Sequence, residues 1–231
     1  MTYIFEPEDR VALSVAGSEQ CFPVRRIYCV GRNYADHALE MGADPVRESP
    51  FFFCKPADAV LTDSKEIPFP VRTNNLHHEV ELVVAIAKEA ENISVTEASA
   101  CIFAYAVGND LTRRDLQGEA KKAKRPWDVA KGFDSSAPIS SLMPVAQCGL
   151  LERGEIYLKV NGELRQRGDL SDMIWSVDEI IAELSTLFVL KPGDLIFTGT
   201  PSGVGPLQIG DTVECYVEGV ARTEHKIVAG R

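Results

Sequence analysis

Several things are scarce in this sequence of 231 residues, and each scarcity closes off a class of function. Basic residues are outnumbered, 24 Lys and Arg against 34 Asp and Glu for a net charge of −10, whereas a nucleic-acid partner needs clustered cations to neutralise phosphate. The one locally basic stretch, Lys121 to Arg125, is short and flanked by Asp115, Glu119 and Asp128, which marks a solvated loop or helix end. No apolar run approaches the roughly 18 residues of a membrane span. The first residues carry Glu6, Glu8, Asp9 and Arg10 where a signal peptide needs a cationic start and an apolar middle, so a cytoplasmic protein without a membrane partner is expected. The six cysteines stand singly, with no Cys-x-x-Cys pair, and read as reduced, mostly buried thiols. Gly-x-x-x-x-Gly-Lys, Gly-x-Gly-x-x-Gly, Gly-x-Ser-x-Gly and His-Glu-x-x-His are all missing. A nucleotide cofactor, a common serine hydrolase and a zinc protease therefore have no support.

What is present is an ordinary globular composition, 45% hydrophobic and 25% charged, without repeats or a linker, so one domain over residues 1–231 is expected. Short apolar or alternating runs broken by turn residues dominate, the pattern of a β-rich α+β chain. Ile27 to Val30 form a run that stops at Gly31, residues 79–87 read as a strand with two carboxylates at its start, and Val213, Cys215 and Val217 alternate. Residues 156–165 read as a hairpin, because Asn161-Gly162 supplies the positive φ angles of a type I′ turn. Helices are few. Ser176-Val177-Asp178-Glu179 is a capping box, with Ile180, Ile181, Leu184, Leu187 and Phe188 on one face of the helix it opens; Ser94 to Glu97 repeats the pattern on a smaller scale.

Three groups of residues have chemical potential. In a strand, Glu79 and Glu81 project to one side while Val80 and Leu82 enter the core. Two such carboxylates invite a hard divalent cation, although an acidic stripe on a solvated face is an alternative. Asp110, at the end of the run from Ile102, is a candidate third ligand and equally a turn or capping residue. If residues 34–40 are helical, His37 and Glu40 share a face, an imidazole oriented by a carboxylate that suits a general base or, more plainly, a surface pair. Thr198 to Pro206 forms a turn-rich loop suited to lining a cleft.

The segments GRNYADH (31–37), Lys55-Pro56, NLHHEVEL (75–82), GNDLTRRDLQ (108–117), AKGFDSSAP (130–138), KVNGELRQ (159–166) and FTGTPSGVG (197–205) resemble, in the same order, the fumarylacetoacetate hydrolase family. FPVRRIYCVGRNYADH (22–37) followed by PFFFCKPADA (50–59) looks most like its bacterial members that cleave fumarylpyruvate and other acylpyruvates. The resemblance implies a mixed β-sandwich roll with few helices, a core over 25–231 preceded by a short strand region at 1–24, and pairing as a homodimer. It implies Mg²⁺ or Mn²⁺ on Glu79, Glu81 and Asp110, and water activated by His37 with Glu40 on a lid segment. Arg114, Gln117 and Lys131 match positions that hold an oxyanion, and Thr200 matches a residue of the substrate cleft. Arg32, Asn33 and Lys55 are candidate contacts to a small diketo acid, each also compatible with a turn or surface role. The activity implied is hydrolysis of an acylpyruvate. Tautomerisation or decarboxylation of oxaloacetate is the rival within the family, and a silent cation-binding β-rich protein the rival outside it.

Overall fold

The computed structural model describes residues 2–40, 48–62 and 66–230. At its centre lies a six-stranded mixed sheet in the order Met143–Pro144, Ile102–Asn109, Val80–Ile86, Asp194–Phe197, Arg26–Gly31, Phe51–Lys55. Every pairing in it is antiparallel except that of Asp194–Phe197 with Arg26–Gly31. A five-stranded sheet, Glu163–Asp169, Glu155–Val160, Thr212–Val217, Ala221–Val228 and Glu66–Pro68, packs on one side.

The strand Val80–Ile86 is buried on both faces, because it lies in the middle of the sheet and both sides are covered. Val80, Leu82, Val84 and Ile86 enter the larger core with Ile156, Leu158, Val213 and Val217, while Val83 and Ala85 join a second cluster with Ile27, Cys29 and Phe197. The alternative of an acidic stripe on a solvated face does not hold: the side that carries Glu81 is also closed to solvent. The same packing leaves no room at Gly108, where a Cβ would come within 2.5 Å of the Phe197 ring and 2.6 Å of Val83. Gly108→Ala is expected to destabilise the protein by about 1–3 kcal/mol through overpacking, read as a lower denaturant midpoint at unchanged slope.

Local signals act as their chemistry dictates. The Glu155–Val160 and Glu163–Asp169 strands turn through Asn161 at φ 54 and Gly162 at φ 81, both in the left-handed region. Ser176 caps the helix Val177–Leu187 by the capping box, and Ile180, Ile181 and Leu184 are buried. Leu187 and Phe188 depart from the expected face, because the helix ends at Leu187 and Phe188 is extended at φ −141, leaving both exposed. A ten-residue helix, Arg114–Ala123, ends within the basic stretch read as a solvated loop or helix end. The cysteines are all free, but only Cys29, Cys101 and Cys215 are buried; Cys21 and Cys54, at the sheet margins, are exposed. Among the described residues no helix is long and apolar enough to cross a membrane.

Strand direction positions the site. Val80–Ile86 begins, and Ile102–Asn109, Asp194–Phe197 and Arg26–Gly31 end, at the same edge of the sheet. Glu79, Asp110, Thr198 to Thr200 and Arg32 all leave from that edge.

Candidate active site

Glu79 and Asp110 meet because of register. Val80 pairs with Asn109, so the two acids flank the last rung of the ladder, where the Asp110 N–H donates to the Glu79 carbonyl at 2.8 Å. The Glu79 N–H donates to Asn109 Oδ1 at 2.9 Å, which locks the same corner. With Glu81 two residues on, three carboxylates each offer an oxygen within 4.8 Å of the others, and all three are buried.

Cations gather around two of the three. Lys131 Nζ donates to Glu79 Oε2 at 2.8 Å and to Asp110 Oδ2 at 2.5 Å, Arg114 pairs with Glu79 Oε1, and Lys55 Nζ lies 2.8 Å from Asp110 Oδ1. Burial works to raise the Glu79 carboxyl, but Lys131 and Arg114 outweigh it and hold that group well below the usual carboxylate range. Burial pushes Glu81 the other way, well above that range, and the neighbouring charges of Asp110 and Glu79 add to it. Its hydrogen-bond donor is the Gly199 N–H, at 2.7 Å. Gly199 sits at φ +100, and a Cβ there would lie 2.6 Å from Asn33 Cβ, so glycine is what lets this N–H reach the carboxylate.

Three cations thus serve Glu79 and Asp110, while Glu81 has no ion-pair partner among the described residues. Oxygens around a Mg²⁺-sized ion at about 2.1 Å stand roughly 3–4.2 Å apart, so these carboxylates need only a small closure to share one. An all-oxygen anionic set selects a hard cation. The donors fit a divalent ion of the Mg²⁺ or Mn²⁺ kind.

On the helix Ala35–Glu40, His37 Nδ1 lies 3.2 Å from Glu40 Oε2, and Glu40 is itself held by the Gly203 N–H at 3.1 Å. His37 is buried in the cavity that contains the three acids. Burial lowers its pKa, opposed by the charges of Glu79 and Glu40, so the imidazole is neutral near pH 7. Arg114 and Gln117 line the same cavity and are joined to each other, Arg114 Nη1 donating to Gln117 Oε1 at 2.7 Å.

The structure brings His37, Glu79, Glu81, Asp110, Arg114, Gln117, Lys131, Thr200 and Arg32 to one cavity, with Glu40 behind His37. Asn33 and Lys55 do not line it. The Asn33 side-chain amide donates to the carbonyls of Trp175 and Thr198 at 2.9 and 2.8 Å and accepts the Trp175 N–H at 2.7 Å, which anchors the segment leading to His37. Lys55 Nζ is spent on Asp110 and on the carbonyls of Leu111, Lys131 and Ser136. The Thr200 hydroxyl donates to the Val80 carbonyl at 2.7 Å and accepts from Gln166 Nε2 at 2.8 Å, so it braces the loop.

Lys121 and Trp127 are lining residues that the sequence reading missed. Lys121 does occupy a helix end, as the charge pattern indicated, but it is half-buried rather than solvated. The overlooked signal was spacing: Arg114, Gln117 and Lys121 at i, i+3 and i+7 share one helical face.

Residues 26–228 match the family described as fumarylacetoacetate (FAA) hydrolase C-terminal. The chain is similar to the crystal structure of fumarylpyruvate hydrolase from Pseudomonas aeruginosa in complex with Mn²⁺ and pyruvate, with TM-score 0.97 and 49% identity over 99% of this chain and 100% of that one. It is 43% identical to the mitochondrial oxaloacetate tautomerase FAHD1 of Mus musculus over 203 residues, 88% of this chain and 91% of the relative. To the oxaloacetate tautomerase YcgM of Escherichia coli it is 42% identical over 203 residues, 87% of this chain and 92% of the relative.

Proposed function

The chain belongs to the fumarylacetoacetate hydrolase family, and from that premise we propose that it hydrolyses the carbon–carbon bond of an acylpyruvate, converting fumarylpyruvate to fumarate and pyruvate. The observation that carries this reading is a carboxylate-oriented histidine buried in one cavity with three convergent acids and an Arg–Gln pair. Residues 25–231 act as one catalytic unit preceded by the strand region 1–24, in a cytoplasmic homodimer.

An acylpyruvate has a carboxylate, an adjacent ketone and a second carbonyl one carbon further on. Glu79, Glu81 and Asp110 would hold a divalent cation, which supplies Lewis-acid stabilisation to the departing enolate of pyruvate. Hydrogen bonding of His37 Nδ1 to Glu40 leaves Nε2 as the acceptor that takes a proton from water. The hydroxide oxygen bonds to the farther carbonyl carbon, and Arg114 and Gln117 donate to the oxyanion that develops there. Cleavage then leaves the acyl carbon as a carboxylic acid and passes the bonding pair to the pyruvate fragment, which gains the proton from His37. Lys131, tied to Glu79 and Asp110, serves as their counter-charge, and Asn33 and Lys55 position the segments around them.

Because His37 must be neutral to accept a proton and burial lowers its pKa, kcat/KM is expected to fall as pH drops through a value below the usual histidine pKa of about 6.5. A pH profile with its acid limb above that value would count against the assignment.

A second reading, oxaloacetate tautomerisation, is favoured by the mouse and Escherichia coli relatives. Assays of fumarylpyruvate, acetylpyruvate and oxaloacetate with Mg²⁺ and with Mn²⁺ separate the two. Release of pyruvate and fumarate is the expected result. Fast keto–enol exchange of oxaloacetate with both acylpyruvates left intact would replace the hydrolase reading by the tautomerase one.

A further inference from the structure

One end of the cavity holds two cations that the proposed mechanism does not use. Arg32 follows the strand Arg26–Gly31 with φ +59, a left-handed conformation uncommon for a branched-out side chain of this size, and Asn33 next to it is pinned by three hydrogen bonds that enforce the turn. Arg32 Nε is buried without a hydrogen-bond partner among the described residues. Lys121 comes from the far end of the Arg114–Gln117 face. Neither cation has a carboxylate partner among the described residues.

An aromatic shelf connects them to the acidic centre. Arg32 lies 5.6 Å from the Phe51 ring centroid, and Phe51 meets Trp127 edge-on at 5.2 Å. Lys121 lies 5.3 Å from the Trp127 ring. Trp127 in turn packs on Phe53 at 5.8 Å, and Phe53 carries Lys131 at 5.1 Å. A flat conjugated chain leaving the reaction centre along this shelf ends at the guanidinium and the ammonium.

Resting on the acylpyruvate reading, we infer that Arg32 and Lys121 form a receptor for a carboxylate at the far end of the acyl group, so that the enzyme selects dianionic substrates of the fumarylpyruvate type over acylpyruvates with a neutral tail. Two neighbouring cations without an anion repel each other, and a substrate carboxylate relieves that repulsion with charge-assisted hydrogen bonds from both. Burial, followed by the charges of Arg32 and Arg114, lowers the Lys121 pKa to about 8.

The test uses the full-length protein with Mn²⁺. Lys121→Met and Arg32→Gln are assayed on fumarylpyruvate and acetylpyruvate. On wild type, fumarate is compared as an inhibitor with crotonate, in which a methyl replaces one carboxylate. The ratio of kcat/KM for fumarylpyruvate to that for acetylpyruvate is expected to drop by ~10²-fold in either variant, mainly through KM, and to be retained in Lys121→Arg. Fumarate is expected to inhibit wild type at least ~10-fold more tightly than crotonate. Equal losses on both substrates, or equal inhibition of wild type by the two acids, would overturn the receptor. A wild type that cleaves neither acylpyruvate counts against the hydrolase reading instead; the inhibitor comparison then runs on oxaloacetate turnover and still reports on the two cations.

Discussion

Glu81→Gln is expected to abolish metal-dependent turnover, by at least ~10³-fold, while raising the melting temperature of the metal-free protein. The first effect follows from the loss of one of three carboxylates that can share a cation, together with the several kcal/mol such an ion contributes to charge stabilisation in a transition state. The second follows from electrostatics. Glu81 is buried beside Asp110 and Glu79, and its carboxyl is raised well above the usual range, so its ionised form costs stability in the folded state near neutral pH. Glutamine has the same shape, keeps an oxygen for the Gly199 N–H and carries no charge. The gain shrinks as pH falls through the unfolded-state pKa of glutamate, where both forms are neutral. Metal at a hundred times its Kd would stabilise wild type by about 2.7 kcal/mol, several degrees for a chain of this size, and the variant should lose that increment. Calorimetric scans with and without Mn²⁺ check both signs. A variant that still binds metal with wild-type affinity, or a metal-free variant that melts lower, would contradict this account of the acidic centre.

His37→Ala is expected to lower kcat by ~10²–10⁴-fold, the usual contribution of a positioned general base, with Mn²⁺ affinity retained. The two effects separate because His37 sits on a different element from the acids and, among the described residues, its hydrogen-bond partner is Glu40. Titration calorimetry with Mn²⁺, paired with initial rates on fumarylpyruvate, gives both quantities from one preparation. Glu40→Gln should show a smaller loss, since the imidazole remains and only its orientation and tautomer preference weaken. Hydrolysis near the wild-type rate in His37→Ala would remove histidine from water activation and leave the cavity with an acidic centre but no base.

The candidate site was legible unevenly. Glu79 and Glu81 could be placed on one side of a strand from their spacing, and His37 and Glu40 on one face of a helix, because those relations are local. Asp110 could be placed at a strand end, but nothing local joins it to Glu79: that contact depends on a ladder between residues about thirty positions apart. Lys55 was legible only as a residue type. Its burial under Asp110 and three carbonyls arises where separate segments meet, and this is why a candidate substrate contact became an internal support. Lys121 misled for a related reason. Glu119 and Lys122 beside it are charged and exposed, whereas its surroundings in space are Trp127, Arg32 and Arg114.

By itself, then, the sequence determined the turn at Asn161-Gly162, the capped helix after Ser176 and the spacing that sets Glu79 and Glu81 on one side of the chain. Each of these rests on interactions within four residues. Tertiary structure decided that the acid-bearing strand is closed on both faces, that three carboxylates converge and leave Glu81 without an ion-pair partner among the described residues, and that the Arg114–Ala123 helix turns two cations, Arg114 and Lys121, toward the cavity. Those outcomes depend on strand order and on which elements cover the sheet. They are settled by the packing of distant apolar side chains, and no local pattern encodes them.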